Sequence, residues 1–127
     1  MLEDLLQSVS TIYIAYGVTD FRKQITGLTN IVMNEFKMNP YQKVAYIFCN
    51  RKKNSIKVLV YDKTGFILAQ KTLLDVNKMK FRWPRNEKEL QSINKQQLSW
   101  LLSGLEIFPK KYFEEVEIDV ENLPVNW

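Results

Sequence analysis

Lysine and arginine side chains are concentrated in the middle of this chain. Between residues 43 and 85 there are eleven Lys and Arg residues and two Asp residues, a formal net charge of +9, whereas the rest of the chain is acidic overall. Cations interleaved with Tyr, Phe and Trp are typical of a surface that binds a polyanion, most often nucleic acid, although a charge run can also be a solvated face. The candidates for phosphate contact are Arg22, Lys23, Arg51, Lys52, Lys53, Lys57, Lys71, Lys80, Arg82 and Arg85.

Catalytic chemistry has few suitable side chains in this sequence. The chain contains no histidine, which excludes the commonest general base, the Ser-His and Cys-His nucleophile pairs and imidazole metal sites. Metal-dependent cleavage of DNA needs convergent carboxylates, and the basic segment offers only Asp62 and Asp75. We therefore expect a protein that is not an enzyme, with no catalytic residue, metal or cofactor.

The composition favours one globular domain in the cytoplasm. A chain of 127 residues with 46% hydrophobic residues has enough apolar side chains for one core. The longest apolar run, residues 44–49, is too short to cross a bilayer, and the acidic N-terminus does not resemble a signal peptide. The single cysteine, Cys49, forms no internal disulfide, which agrees with a reducing compartment.

The N-terminal part predicts a strand followed by a helix. Residues 12–16 are a β-type run that ends at Gly17. Apolar residues then recur at steps of three and four from Phe21 to Phe36, which predicts an amphipathic helix capped by Thr19 or Asp20.

Three residues in this predicted helix are unfavourable there without a partner. Gly27 weakens a helix by about 1 kcal/mol relative to Ala, so we expect it to pack closely against the sheet. Arg22 and Lys23 oppose the helix dipole near its start. Either a binding role or an ion pair with Asp20 or Glu35 would explain them.

The central segment predicts a three-stranded antiparallel meander. Its strands are residues 44–49, 55–61 and 66–74, joined by a polar loop and by a type I turn in which Gly65 takes a positive φ. The loop presents Arg51, Lys52 and Lys53 at a hairpin tip, and Lys57 and Lys71 on the strands extend a basic stripe from it. In the second strand, alternation separates two sets of side chains: Ile56, Val58 and Val60 against Lys57, Leu59 and Tyr61.

Basic and apolar residues alternate again in the segment after the meander. Lys80 and Arg82 would share one face and Phe81 and Trp83 the other, where the two aromatic rings serve either as core anchors or as stacking platforms for bases. Residues 94–103 then predict a second helix, with a capping box from Asn94 and Gln97 and a glycine C-cap, and residues 116–120 predict a further strand. The sequence thus predicts a single α+β domain over residues 1–127, an antiparallel sheet with two main helices packed on it.

The order of these motifs resembles the second-open-reading-frame accessory proteins (TnpB-type) of the insertion-sequence-66 transposon family. The resemblance covers residues 12–105 and leaves an acidic C-terminal extension, 106–127, outside it. The chain departs from the family pattern at Cys49, where Arg is usual, and at residues 67–70, where aromatic residues are usual. The matching segments are residues 12–23, Gly27-Leu28, Asn39-Pro40, 48–53, 56–59, 62–66, 80–84 and 94–105.

This resemblance implies a small protein encoded beside a separate DDE transposase and needed for efficient transposition. It implies no catalytic residue. Together with the basic segment, it predicts a protein that binds DNA at transposon ends and assists the transposase. The alternative is an adaptor whose basic face docks on the transposase or on another element-encoded protein without binding DNA.

Overall fold

A computed structural model describes residues 2–75, 78–84 and 90–104. Its elements in chain order are helix α1 (Leu2–Gln7), strand β1 (Thr11–Ala15), helix α2 (Ile25–Asn30) continued by a π-helical turn (Ile31–Glu35), strands β2 (Val44–Cys49), β3 (Ser55–Asp62), β4 (Gly65–Thr72) and β5 (Leu90–Ile93), and helix α3 (Lys95–Leu102). The predicted α+β class is confirmed. Among the described residues, no helix has the length and the apolar composition that a transmembrane span requires.

The five strands form one sheet in the order β4-β3-β2-β1-β5. The β2-β3-β4 meander is antiparallel throughout, as predicted. The parallel pairing of β1 with β2, which places Thr11 opposite Val44, was not predicted. A parallel pair needs a long crossover connection, and α2 lies in the connection between these two strands.

Each face of the sheet has its own core because side chains alternate along every strand. Strand β2 is buried over its whole length. On the first face, Ala45, Ile47 and Cys49 belong to a core that includes Leu6 from α1 and Leu98 from α3. On the second face, the other β2 side chains pack in a core with two residues of the α2 region: Val44, Tyr46 and Phe48 with Leu28 and Val32.

The turn between β3 and β4 differs from the prediction. Asp62 pairs with Gly65, so the loop contains only two residues, and a two-residue hairpin needs its left-handed backbone inside the loop. Lys63 therefore takes the positive φ, 48°, and the expectation that Gly65 would take it is wrong.

The predicted start of the first long helix is also wrong. Helix α2 begins at Ile25 after the N-cap Gln24. The Asp20 side chain accepts from the Arg22 backbone amide, as an N-cap would, but residues 21–24 are not helical. Gly27 does permit a close approach, although its neighbour is not the sheet. A Cβ on Gly27 would lie 2.9 Å from Cβ of Lys23, so the glycine makes room for that side chain.

Helix α3 has the predicted caps. The Gln97 backbone amide donates to Oδ1 of Asn94 (2.8 Å), and the Asn94 backbone amide donates to Oε1 of Gln97 (2.9 Å). Gly104 follows the helix with a φ of 80°, a left-handed backbone that suits glycine. The strand predicted at 116–120 lies outside the described residues.

Candidate nucleic-acid interface

Three loops meet at one end of the sheet. Strands β1 and β2 are parallel, and β4 runs in the same direction because two antiparallel pairings separate it from β2. The loops that follow these three strands therefore leave from the same end. We name them loop A (residues 16–24, after β1), loop B (50–54, between β2 and β3) and loop C (73–84, after β4, of which 76–77 are not described).

Backbone hydrogen bonds join the three loops. Loop C contacts loop B at its start, where the Leu73 amide donates to the Asn54 carbonyl (2.8 Å), and later, where the Phe81 amide donates to the Lys53 carbonyl (2.7 Å). At its far end it reaches loop A, because the Gly17 amide donates to the Pro84 carbonyl (2.9 Å). Loop C thus crosses the end of the sheet from the β4 side to the β1 side.

Two aromatic anchors fix loop C and leave its cations in solvent. Phe81 and Trp83 are 1% and 5% exposed and belong to the first core, and the Trp83 indole N–H donates to the Ala15 carbonyl at 2.8 Å. Lys80 and Arg82 are exposed. The predicted alternation is confirmed, with the two rings in the core, although the described residues of this segment form no strand.

Loop B is shaped by its asparagines, which the sequence reasoning had not singled out. Oδ1 of Asn50 accepts from the backbone amides of Asn54 and Ser55, both at 3.1 Å. Nδ2 of Asn50 donates to Oδ1 of Asn54 at 2.7 Å. Arg51 and Lys52 are exposed at the tip as predicted, whereas Lys53 is half-buried with a φ of 59°. Asn side chains often form hydrogen bonds to the backbone of their own loop. The two asparagines of loop B were therefore the signal in the sequence that could have predicted its shape.

Lys57 is not on the basic stripe for which it was predicted. It is 2% exposed, and its ammonium group donates to the carbonyls of Phe21 and Lys23, both at 2.9 Å. The ammonium also lies 4.9 Å from the centre of the Phe21 ring. Burial lowers the pKa of Lys57, and the nearby Asp20 carboxylate opposes that change. Lys57 holds loop A in place from inside the protein, because alternation in β3 turns it toward the face that loop A covers.

Loop A presents an ion pair at its surface. The Arg22 guanidinium donates to both carboxylate oxygens of Asp20, with Nη2 2.7 Å from Oδ2. These bonds lower the pKa of Asp20 to about 2. The sequence left Asp20 and Glu35 open as ion-pair partners of Arg22, and the structure shows the pair with Asp20. Because its charge is balanced, Arg22 contributes less to the local potential than an unbalanced cation would.

Neutralising Asp20 should therefore strengthen any polyanion binding at this end. The Asp20→Asn variant adds one net positive charge and removes the carboxylate from Arg22, so we expect a steeper fall of DNA affinity with salt, by about one unit of log–log slope. Fluorescence anisotropy with labelled DNA over a salt series measures this slope. Glu35→Gln, an equal charge change at an exposed residue that follows α2, should leave it unchanged.

The described residues of this end carry a strong positive charge. Residues 16–24, 50–54, 71–75 and 78–84 contain nine Lys and Arg and two Asp, a formal net charge of +7. Arg85 lies outside the described residues. We call the following side chains, exposed except for half-buried Lys53, the basic end: Arg22, Lys23, Arg51, Lys52, Lys53, Lys71, Lys78, Lys80 and Arg82.

The acids of the basic segment do not form a metal site. Asp62 precedes β4 and Asp75 follows it, so the two residues lie at opposite ends of an eight-residue strand. In the part of the chain that the structure describes, no three His, Cys, Asp or Glu residues are grouped as metal ligands would be.

The architecture defines a small α+β protein with a cationic end built from three loops. Comparison with known families places it more narrowly: residues 10–112 match the family described as IS66 Orf2 like protein. The chain belongs to this family, which makes it a transposition-associated accessory protein of an insertion sequence. The family is associated with an element-encoded transposase and is not known to be catalytic.

A relative from Sinorhizobium fredii (strain NBRC 101917 / NGR234), the uncharacterized protein y4hO, is similar over most of its length. It is 34% identical over 95 residues, which are 75% of this chain and 80% of that protein. No solved structure matches the chain.

Proposed function

We propose that this protein binds DNA through the basic end and thereby assists the separate transposase of its element at the transposon ends. The observation that carries the proposal is the convergence of the three loops, which places cations from separate parts of the sequence on one surface. Clustered cations lower the free energy of a bound polyanion and release its counterions. The proposal includes residues 12–105 as the DNA-binding core and 106–127 as an acidic extension of the same domain.

Neutralising loop B should weaken DNA binding in a salt-dependent way. We expect the variant Arg51→Gln, Lys52→Gln, Lys53→Asn to flatten the log–log salt slope by about two to three units, since each phosphate contact contributes about 0.9. Asn suits residue 53 because the backbone there is left-handed, with a φ of 59°. The slope is measured by anisotropy with duplex DNA, and the thermal midpoint of unfolding should stay close to that of the unmodified protein.

A control variant carries two charge changes at the opposite end of the sheet. Lys43, just before β2, and Lys63, in the β3-β4 turn, are exposed there. Lys43→Gln with Lys63→Asn should keep the original slope. If the loop B variant also keeps it, loop B is not part of the interface. If the protein binds no DNA but binds the transposase through the basic end, the adaptor function replaces the proposed one.

A further inference from the structure

The cations of the basic end are spread over the width of the sheet. Lys71 lies near the end of β4. Arg82 precedes Trp83, whose indole N–H donates to the Ala15 carbonyl at the end of β1, and β3 and β2 separate these two strands. Neighbouring strands are about 4.8 Å apart, so the two sides of the basic end are about 14 Å apart. The major groove of duplex DNA is about 12 Å wide, so this spread suits phosphates on the two sides of a groove.

The aromatic side chains in loops A and C that could stack on bases are committed to the protein. Phe81 and Trp83 are 1% and 5% exposed. Phe21 is half-buried and packs against the second core, and the Lys57 ammonium lies over its ring. Tyr16 is half-buried and packs against the first core. Proteins that bind single strands combine a basic groove with exposed rings on which successive bases stack, and these four rings do not provide such a platform.

The helices nearest this end carry none of the cations of the basic end. Helix α2 buries Leu28 against the second face of the sheet, and α3 buries Leu98 and Leu101 against the first. Direct readout in the major groove uses a helix or a two-stranded ribbon whose side chains reach the base edges. The cations of the basic end instead come from loops and from the end of β4, and Lys and Arg are among the side chains that contact DNA phosphates.

We infer that the basic end binds the two backbones of duplex DNA across a groove, in preference to single strands and with little dependence on base sequence. This inference rests on the proposed DNA-binding function and names its ligand class. The protein thus supplies general affinity for the double helix.

The test compares one duplex with its own strands. Anisotropy at about 0.1 M salt, a concentration at which backbone contacts are only partly screened, gives the dissociation constants of the full-length protein for a labelled random-sequence duplex of about two helical turns and for each strand alone. We expect the duplex to bind at least five-fold more tightly, and three duplexes of unrelated sequence to agree within about three-fold. A smaller preference for the duplex, or a larger spread among sequences, overturns the inference and leaves DNA binding itself intact. Absence of binding to any DNA overturns both.

One variant distinguishes backbone contact from stacking. Trp100 lies on α3 and is 37% exposed. It is one turn before Gly104, which lies close to loop C: a Cβ added to Gly104 would be 3.9 Å from the Lys80 carbonyl oxygen. It is therefore the described tryptophan best placed to stack on a base. Trp100→Ala should change the dissociation constants for duplex and single strand by less than two-fold. A ten-fold loss for the single strand alone would identify Trp100 as a stacking platform and contradict the inference.

Discussion

Replacing Trp83 with alanine is expected to lower the free energy of unfolding by about 3–5 kcal/mol. The indole is 5% exposed within the first core, so its removal leaves a cavity. Its N–H also donates to the Ala15 carbonyl at 2.8 Å, and that buried carbonyl loses its side-chain partner. Urea unfolding followed by circular dichroism measures the change.

The neighbouring Arg82→Ala variant is the control for this result. Arg82 is exposed, so we expect its truncation to change stability by no more than about 0.5 kcal/mol while weakening DNA binding. The reverse pattern, a Trp83→Ala protein of unchanged stability that has lost DNA binding, would show that the indole acts as a stacking platform and does not support the core.

Replacing Lys57 with methionine is expected to lower the free energy of unfolding by about 1–3 kcal/mol. Methionine keeps most of the length of the side chain but removes the ammonium that donates to the Phe21 and Lys23 carbonyls. Those carbonyls would lose a charged donor, and loop A would lose its internal attachment. The same chemical change at exposed Lys71, on the adjacent strand β4, should have little effect on stability.

The opposite result for Lys57 also has a physical meaning. Burying a charge costs desolvation free energy, and replacing buried ions with apolar side chains is neutral or stabilising in some proteins. A Lys57→Met protein that is as stable as the original would show that this desolvation cost equals the free energy gained from the two hydrogen bonds. In that case Lys57 would not be needed to hold loop A.

Features that depend on neighbouring residues could be predicted from the sequence. The meander follows from period-two alternation and polar connections, and the Asn94–Gln97 capping box follows from residue types at a fixed spacing. The same holds for the alternation that buries Phe81 and Trp83 and exposes Arg82. In each case the determining residues are close together in the chain, so periodicity and turn chemistry are sufficient.

Features that depend on distant contacts could not be predicted. Alternation correctly placed Lys57 opposite Ile56, Val58 and Val60, but the sequence does not show that loop A, more than thirty residues earlier, covers that face. The parallel pairing of β1 with β2 is equally non-local. That pairing brings loop A beside loops B and C, so the assembly of the basic end became visible only in the structure.

Cations from separate loops are expected to act together as one DNA-binding surface. The salt dependence of duplex binding measures this for two double variants: Arg51→Gln with Lys52→Gln in loop B, and Lys80→Gln with Arg82→Gln in loop C. We expect each pair to flatten the log–log slope by about two units and the four changes together by about four, whereas Lys43→Gln with Lys63→Asn should leave the slope unchanged. If the Lys43 and Lys63 variant flattens the slope as much as either loop variant does, binding reflects overall charge and the account of a localised basic end is wrong.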